Sequence, residues 1–250
     1  MLRSTILQAI VILAMLCSIA GAQEDTHQDL LDARKAFDAE AFLAAKKSLV
    51  AQATDSPGDY SAQYAAAESF RLWATWLRNE RNTLKLNSKE DKQRRVDQAA
   101  EATAGLPYAE KAVALARIDA DSAQAHRVLG ELYSHLISGM VSGIRNGPKA
   151  KLHINRGLAL APDNAECKRA IALMYLHNPP FNGGDVPRAV KTFTECSTLA
   201  PNSDIYPVLL AMAYRKAKEP ENALKAARKA LELNPKNADA IAMAEALENQ

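Results

Sequence analysis

Glycine is scarce in this 250-residue chain, with only 10, and aromatic residues make up just 6%. A β-rich chain would carry more aromatics and β-branched residues, so that class is excluded. Three cysteines are too few for a small disulfide scaffold. Neither charge dominates: 31 Lys and Arg stand against 29 Asp and Glu, a net charge of +2. No basic patch for nucleic acid and no acidic tail is implied. The five histidines, His27, His126, His135, His153 and His177, form no His-x-x-x-His pair, and Cys-x-x-Cys and His-Glu-x-x-His are missing. Nothing therefore points to a metal, and no cofactor is expected. Gly-x-Ser-x-Gly, the P-loop and the dinucleotide fingerprint are also missing, so the expectation is a protein that is not an enzyme.

There is one long apolar run, Ile6 to Ile19, preceded by Arg3 and followed by Ala20-Gly21-Ala22. A basic start, an apolar stretch and a small-x-small site make residues 1–22 a signal peptide, with the mature chain starting near Gln23. The alternative is an uncleaved anchor, for which the run is short. Cys17 follows Leu16, where a lipobox wants a small residue. The chain is expected to be exported, either periplasmic or secreted.

What the sequence has in abundance is alanine at regular steps. Tyr214, Ala223, Ala230 and Pro235 stand at offsets of 9, 7 and 5, and Pro201 lies 34 residues before Pro235. Ala189, Phe193 and Cys196 repeat the pattern upstream. Ala150, Ile154 and Gly157 repeat it again before Pro162, after a first helix carrying Leu129-Gly130-x-x-Tyr133. Two of these units have enlarged turns. One is the connection ending at Asn146-Gly147-Pro148, read as a helix stop. The other is Pro179-Pro-Phe-Asn-Gly-Gly-Asp185, where Gly183 and Gly184 allow positive φ, Asp185 caps the next helix and Pro187 fits early within it. Small residues such as Gly130, Ala172, Ala189 and Ala223 allow helices to approach closely, while Tyr133, Tyr175, Phe193 and Tyr214 fill the wider gaps.

The units are 121–162, 163–201 and 202–235, followed by a capping helix at 236–250. Residues 23–120 read as divergent helical hairpins. They comprise a helical pair or one long helix over 29–51, a long helix over 61–82 holding Trp73 and Trp76, a charged helix over 88–104 and a separate second helix over 108–118. The fold class is all-α, an antiparallel helix-hairpin solenoid.

These positions resemble the tetratricopeptide repeat, and Asn222 to Pro235 matches its second helix closely. The Pro-Pro-x-x-Gly-Gly insertion is similar to those in the T component associated with TRAP transporters and in regulator-of-microtubule-dynamics-like repeat proteins, over roughly 105–235. The resemblance implies binding on the concave face of the first helices, where Arg127, Glu131, Arg169, Leu173, Leu176, Met212 and Arg215 fall, with Phe181 presented by the enlarged turn. Arginine on such a face suits a carboxylate. Cys167 falls near the start of the first helix and Cys196 near the end of the second helix of one antiparallel hairpin, which lie close together, and the alternatives are a disulfide staple or two small core residues.

The expected function is an exported scaffold binding a protein or peptide partner or a small amphipathic ligand, as a transporter-associated component. The alternatives are a structural subunit of an envelope assembly, which would be an oligomer, and, more remotely, an enzyme with a cryptic site. Nucleic acid is not expected as a partner. Membrane contact is expected only through an uncleaved signal or a partner.

Overall fold

The computed structural model describes residues 26–82 and 84–249. The signal-peptide reading, with Cys17, lies outside the described residues. All regular structure described is helical. The helices run in chain order as α1 (26–36), α2 (Ala39–Asp55), α3 (Tyr60–Asn82), α4 (Lys89–Leu115), α5 (Asp119–His135), α6 (Met140–Leu160), α7 (Ala165–His177), α8 (Val186–Leu199), α9 (Ile205–Lys216), α10 (Pro220–Leu233) and α11 (Ala238–Glu248). Consecutive helices pack as antiparallel hairpins, and first helices also meet across repeats, α3 on α5 and α5 on α7.

Local chemistry sets the helix ends. Asp38, Ser88, Asn164, Asp185 and Asn237 each accept a first-turn backbone N–H with a side-chain oxygen. Residues 29–51 resolve into two helices because Phe37 turns the chain at φ 57. Gly183 takes φ +86 at the end of the short 3-10 turn Pro180–Asn182, a conformation glycine adopts without strain.

Close approach explains the small residues. A Cβ on Gly130 would lie 2.7 Å from Ile154 Cγ1 and 2.8 Å from its backbone nitrogen, so α5 and α6 touch through backbone. Ala172, Ala189 and Ala223 are fully buried at the equivalent hairpin contacts. Phe193 and Leu176 fill the space between α7, α8 and α9.

Two helices differ from the sequence expectation. The segments read as separate helices over 88–104 and 108–118 form the single helix α4, which continues through Pro107. Likewise α6 starts at Met140, well before the expected stop, and continues through Pro148. Both prolines face solvent. Water can therefore satisfy the carbonyl each leaves without a helical donor, and the interruption is milder than a buried one. Ser142 starts α6 by accepting from the Gly139 and Ser138 backbone N–H groups at 3.0 and 2.9 Å.

The two ends of the array meet, α1 with the end of α10 and α3 with α11. Asn234 Nδ2 donates to the Lys35 carbonyl at 3.2 Å, and Asn79 Nδ2 donates to Asp239 Oδ2 at 2.8 Å. Asn234 and Asn237 also both donate to Asp204 Oδ2, at 2.7 and 2.8 Å, which fixes the α10–α11 corner that makes the contact.

Candidate partner-binding face

Position 5 of two successive first helices is arginine, Arg127 and Arg169, and Glu131 lies one helical turn beyond Arg127. Helical spacing puts all three on the inner face. There they join residues of α3 and α9 in a ladder of charge. Arg71 grips Glu68 with Nε and Nη2, both at 2.7 Å, and reaches Glu131 with Nη1 at 3.2 Å. Arg127 donates to Glu131 at 3.0 Å, to Glu68 at 3.3 Å, to the Tyr64 hydroxyl at 3.0 Å and to Gln124 at 2.7 Å. Arg169 donates to both oxygens of Glu131, at 2.7 and 2.9 Å, and to Glu166 at 2.9 Å. The Tyr206 hydroxyl on α9 closes the row on Glu166 at 2.7 Å.

Three guanidiniums and three carboxylates balance in this ladder. Arg127 is 1% exposed, and Glu68, Arg71, Glu131 and Arg169 are buried. Burial alone would push the Glu68 and Glu131 carboxyls up. Arg127 and Arg71 outweigh it at Glu68, as Arg169, Arg71 and Arg127 do at Glu131, and both fall to about 2. Burial opposes ionisation of Glu166 too, and Arg169 and Arg127 overcome it. His135 closes one end of the buried row, with Thr75 Oγ1 3.1 Å from its Nε2. Burial, aided by Arg78, holds its ring well below the usual range and so neutral at pH 7.

Arg127, Glu131 and Arg169 are therefore brought together, but their donors and acceptors are engaged by one another. Leu176 is buried in the core between repeats, and Leu173 and Met212 pack against that same cluster. Arg215 is exposed and lines a shallow cleft with Lys218, Pro220 and Leu247. Phe181 projects into solvent, 93% exposed. Cys167 and Cys196 are buried and unbridged. Cys167 faces the Ala123 carbonyl of the preceding repeat, while Cys196 faces the Ala165 carbonyl of its own repeat. The two thiols thus point to different neighbours.

Sequence reasoning missed two cations on this face, Arg34 of α1 and Arg78 of α3. Both are half-buried, and neither side chain makes a hydrogen bond or ion pair among the described residues. Burial lowers the Arg34 guanidinium, with Arg71 and Arg169 adding repulsion and Glu166 and Asp204 opposing it. Arg78 is lowered by burial and by Arg169, Arg71 and Arg81, against the pull of Glu131. Both remain cations at neutral pH. Both also act on Asp239, the residue at the junction of the array's two ends. Helical spacing could have shown Arg71 and Arg78 to be seven apart on one stripe, but the missing repeat register before residue 120 hid which way that stripe faces.

Residues 208–237 match the tetratricopeptide-repeat family model. The chain therefore has an all-α helical-repeat solenoid fold of the kind tetratricopeptide-repeat proteins adopt, with one repeat matched in sequence. It is similar to a thermophilic tetratricopeptide-repeat protein of Thermus thermophilus, at 16% identity and a TM-score of 0.59, covering 91% of this chain and 100% of that one. More distant likenesses include YrrB, described as a TPR protein with an unusual peptide-binding site, at 13% identity and a TM-score of 0.44 over 91% of this chain and 97% of that one. Another is the MamA protein, at 16% identity and a TM-score of 0.41 over 86% and 93%. No curated protein sequence matches. The hairpins α5–α6, α7–α8 and α9–α10 are closely packed helix pairs, and α11 packs on the last of them.

Proposed function

We propose that this helical-repeat solenoid is a non-catalytic scaffold that holds a carboxylate-bearing segment of a partner protein against its inner face. One observation carries the reading. Arg34 and Arg78 are cations on that face that make no hydrogen bond or ion pair among the described residues, beside a ladder whose other arginines are satisfied. A guanidinium in a half-buried setting is weakly hydrated and presents a fork that matches a carboxylate. The ladder itself is ill-suited to acid–base chemistry, because its carboxylates are locked in the ionised state. The proposed setting is the exported compartment, and the assignment as a transporter-associated component rests on the resemblance of the Pro179–Asp185 turn.

Titration calorimetry with a Glu-rich peptide tests the reading. Binding is expected to the wild-type chain, to weaken about tenfold in Arg78→Ala or Arg34→Ala, and to be unchanged in Arg215→Ala. Equal binding by all four proteins would overturn it.

A further inference from the structure

The sequence between Leu132 and Pro162 holds no Asp or Glu, although the chain has 29 of them. Helix α6 fills most of this stretch and carries Arg145, Lys149, Lys151 and Arg156, all exposed. Its buried side is Asn146, Ala150, Ile154 and Gly157, set against the rest of the fold. On the opposite side stand Met140, Val141, Ile144 and Leu152, at 82%, 72%, 73% and 65% exposure. With Pro148 they fall within an arc of roughly 120° when each residue turns the helix by about 100°. Arg145 and Arg156 border that arc and Lys151 lies within it.

We propose that this outward face of α6 is a membrane-contact surface for anionic phospholipid. A helix with an apolar stripe, basic flanks and no acid has the make-up of one that lies in a bilayer interface. Charge complementarity selects anionic headgroups, because nothing acidic on α6 offsets its cations. Shape favours lipid over protein. The apolar side chains stand exposed on the side of α6 turned away from its buried residues, and a bilayer can admit isolated apolar side chains without a matching pocket. The first turn of α6 lies at the same edge as the neighbouring hairpin turns, where Leu86 and Phe181 also project into solvent. This departs from the expectation that membrane contact goes only through the N-terminal segment or a partner. The sequence reading took the stretch ending at Asn146-Gly147-Pro148 as a connection, which hid the stripe.

Hydrogen exchange on the full chain distinguishes contact by α6 from attachment by the N-terminal apolar run. With vesicles of phosphatidylcholine and phosphatidylglycerol, amides of 140–152 are expected to exchange about tenfold more slowly. Phosphatidylcholine vesicles should leave them unchanged. The double variant Val141→Glu, Ile144→Glu should lose the protection while keeping the wild-type melting temperature, since both positions are exposed. Arg145→Glu with Lys151→Glu should lose it as well. Four results would overturn the proposal: vesicle-bound chain with unchanged exchange in α6, equal protection on neutral vesicles, protection that grows with protein concentration in the absence of lipid, or protection by an acidic amphipathic peptide with none by vesicles.

Discussion

Arg169 Nη2 lies 2.7 and 2.9 Å from the two carboxylate oxygens of Glu131, joining α7 to α5 across 38 positions of sequence. Arg71 and Arg127 reach the same carboxylate. Replacing Glu131 by Gln keeps the shape and leaves three buried guanidiniums short of one negative charge. A loss of about 3 kcal/mol in unfolding free energy is expected. Urea denaturation measures it. A double-mutant cycle with Arg169→Met should show the two losses to be far from additive.

The ladder also sets an acid limit. Glu68 and Glu131 have their folded values depressed to about 2 from an ordinary 4.5. The unfolded chain therefore takes up these protons first as pH falls. The stabilisation is complete above about pH 4.5 and is lost progressively toward pH 2. Melting temperature measured across that window should fall steeply, and Glu131→Gln should flatten part of the fall.

A second pH response belongs to the α5–α6 hairpin. His126 Nδ1 and His153 Nδ1 are 2.9 Å apart, so a single shared proton suits the pair. Burial lowers both rings, with His153 adding repulsion at His126 and Glu110 pulling the other way at His153. A base with a depressed folded value takes its proton more readily when unfolded. Stability from this pair is whole above about pH 6.5 and declines below it. His126→Gln should remove that part of the slope, read by thermal melts between neutral and mildly acid pH.

Burial pushes the Cys167 thiol up to about 11 and the Cys196 thiol up to about 12. Both are poor nucleophiles in the folded protein. Native protein alkylated without reductant should leave both unmodified, and denaturation without reductant should make both reactive, as peptide mass mapping would show.

Gly130 sets the spacing of α5 and α6. Gly130→Ala places a methyl within 2.7 Å of Ile154 and forces the hairpin apart. A cost of about 1–3 kcal/mol is expected. The companion change Ile154→Val should recover little of it, because valine keeps the γ-carbon and the other close contact is with the backbone nitrogen.

The C-terminal hairpins were legible because their packing is local. Ala223, Ala230 and Pro235 answer to contacts within one repeat, so a short spacing rule captures them. The inner face was only half legible. Helical spacing puts Arg127, Glu131 and Arg169 together, but their partners Tyr64 and Glu68 lie 59 to 63 positions upstream, in hairpins with no readable register. Pro107 and Pro148 misled for a different reason. A proline's local penalty is readable from sequence, while the side of the helix it occupies depends on tertiary packing. The meeting of Lys35 with Asn234 follows from the pitch of the whole array, a property no single window of sequence holds.

That meeting changes how the molecule should come apart. In an open repeat array each unit leans only on its neighbours, so the ends fray first and the middle last. Here α1 and α3 hold the α10–α11 end, and neither end of the array is free. Melting should be a single all-or-none event. Cutting the link with Asn79→Ala and Asn234→Ala should split it, letting α1 and α11 loosen before the centre, as amide exchange at the two termini would register.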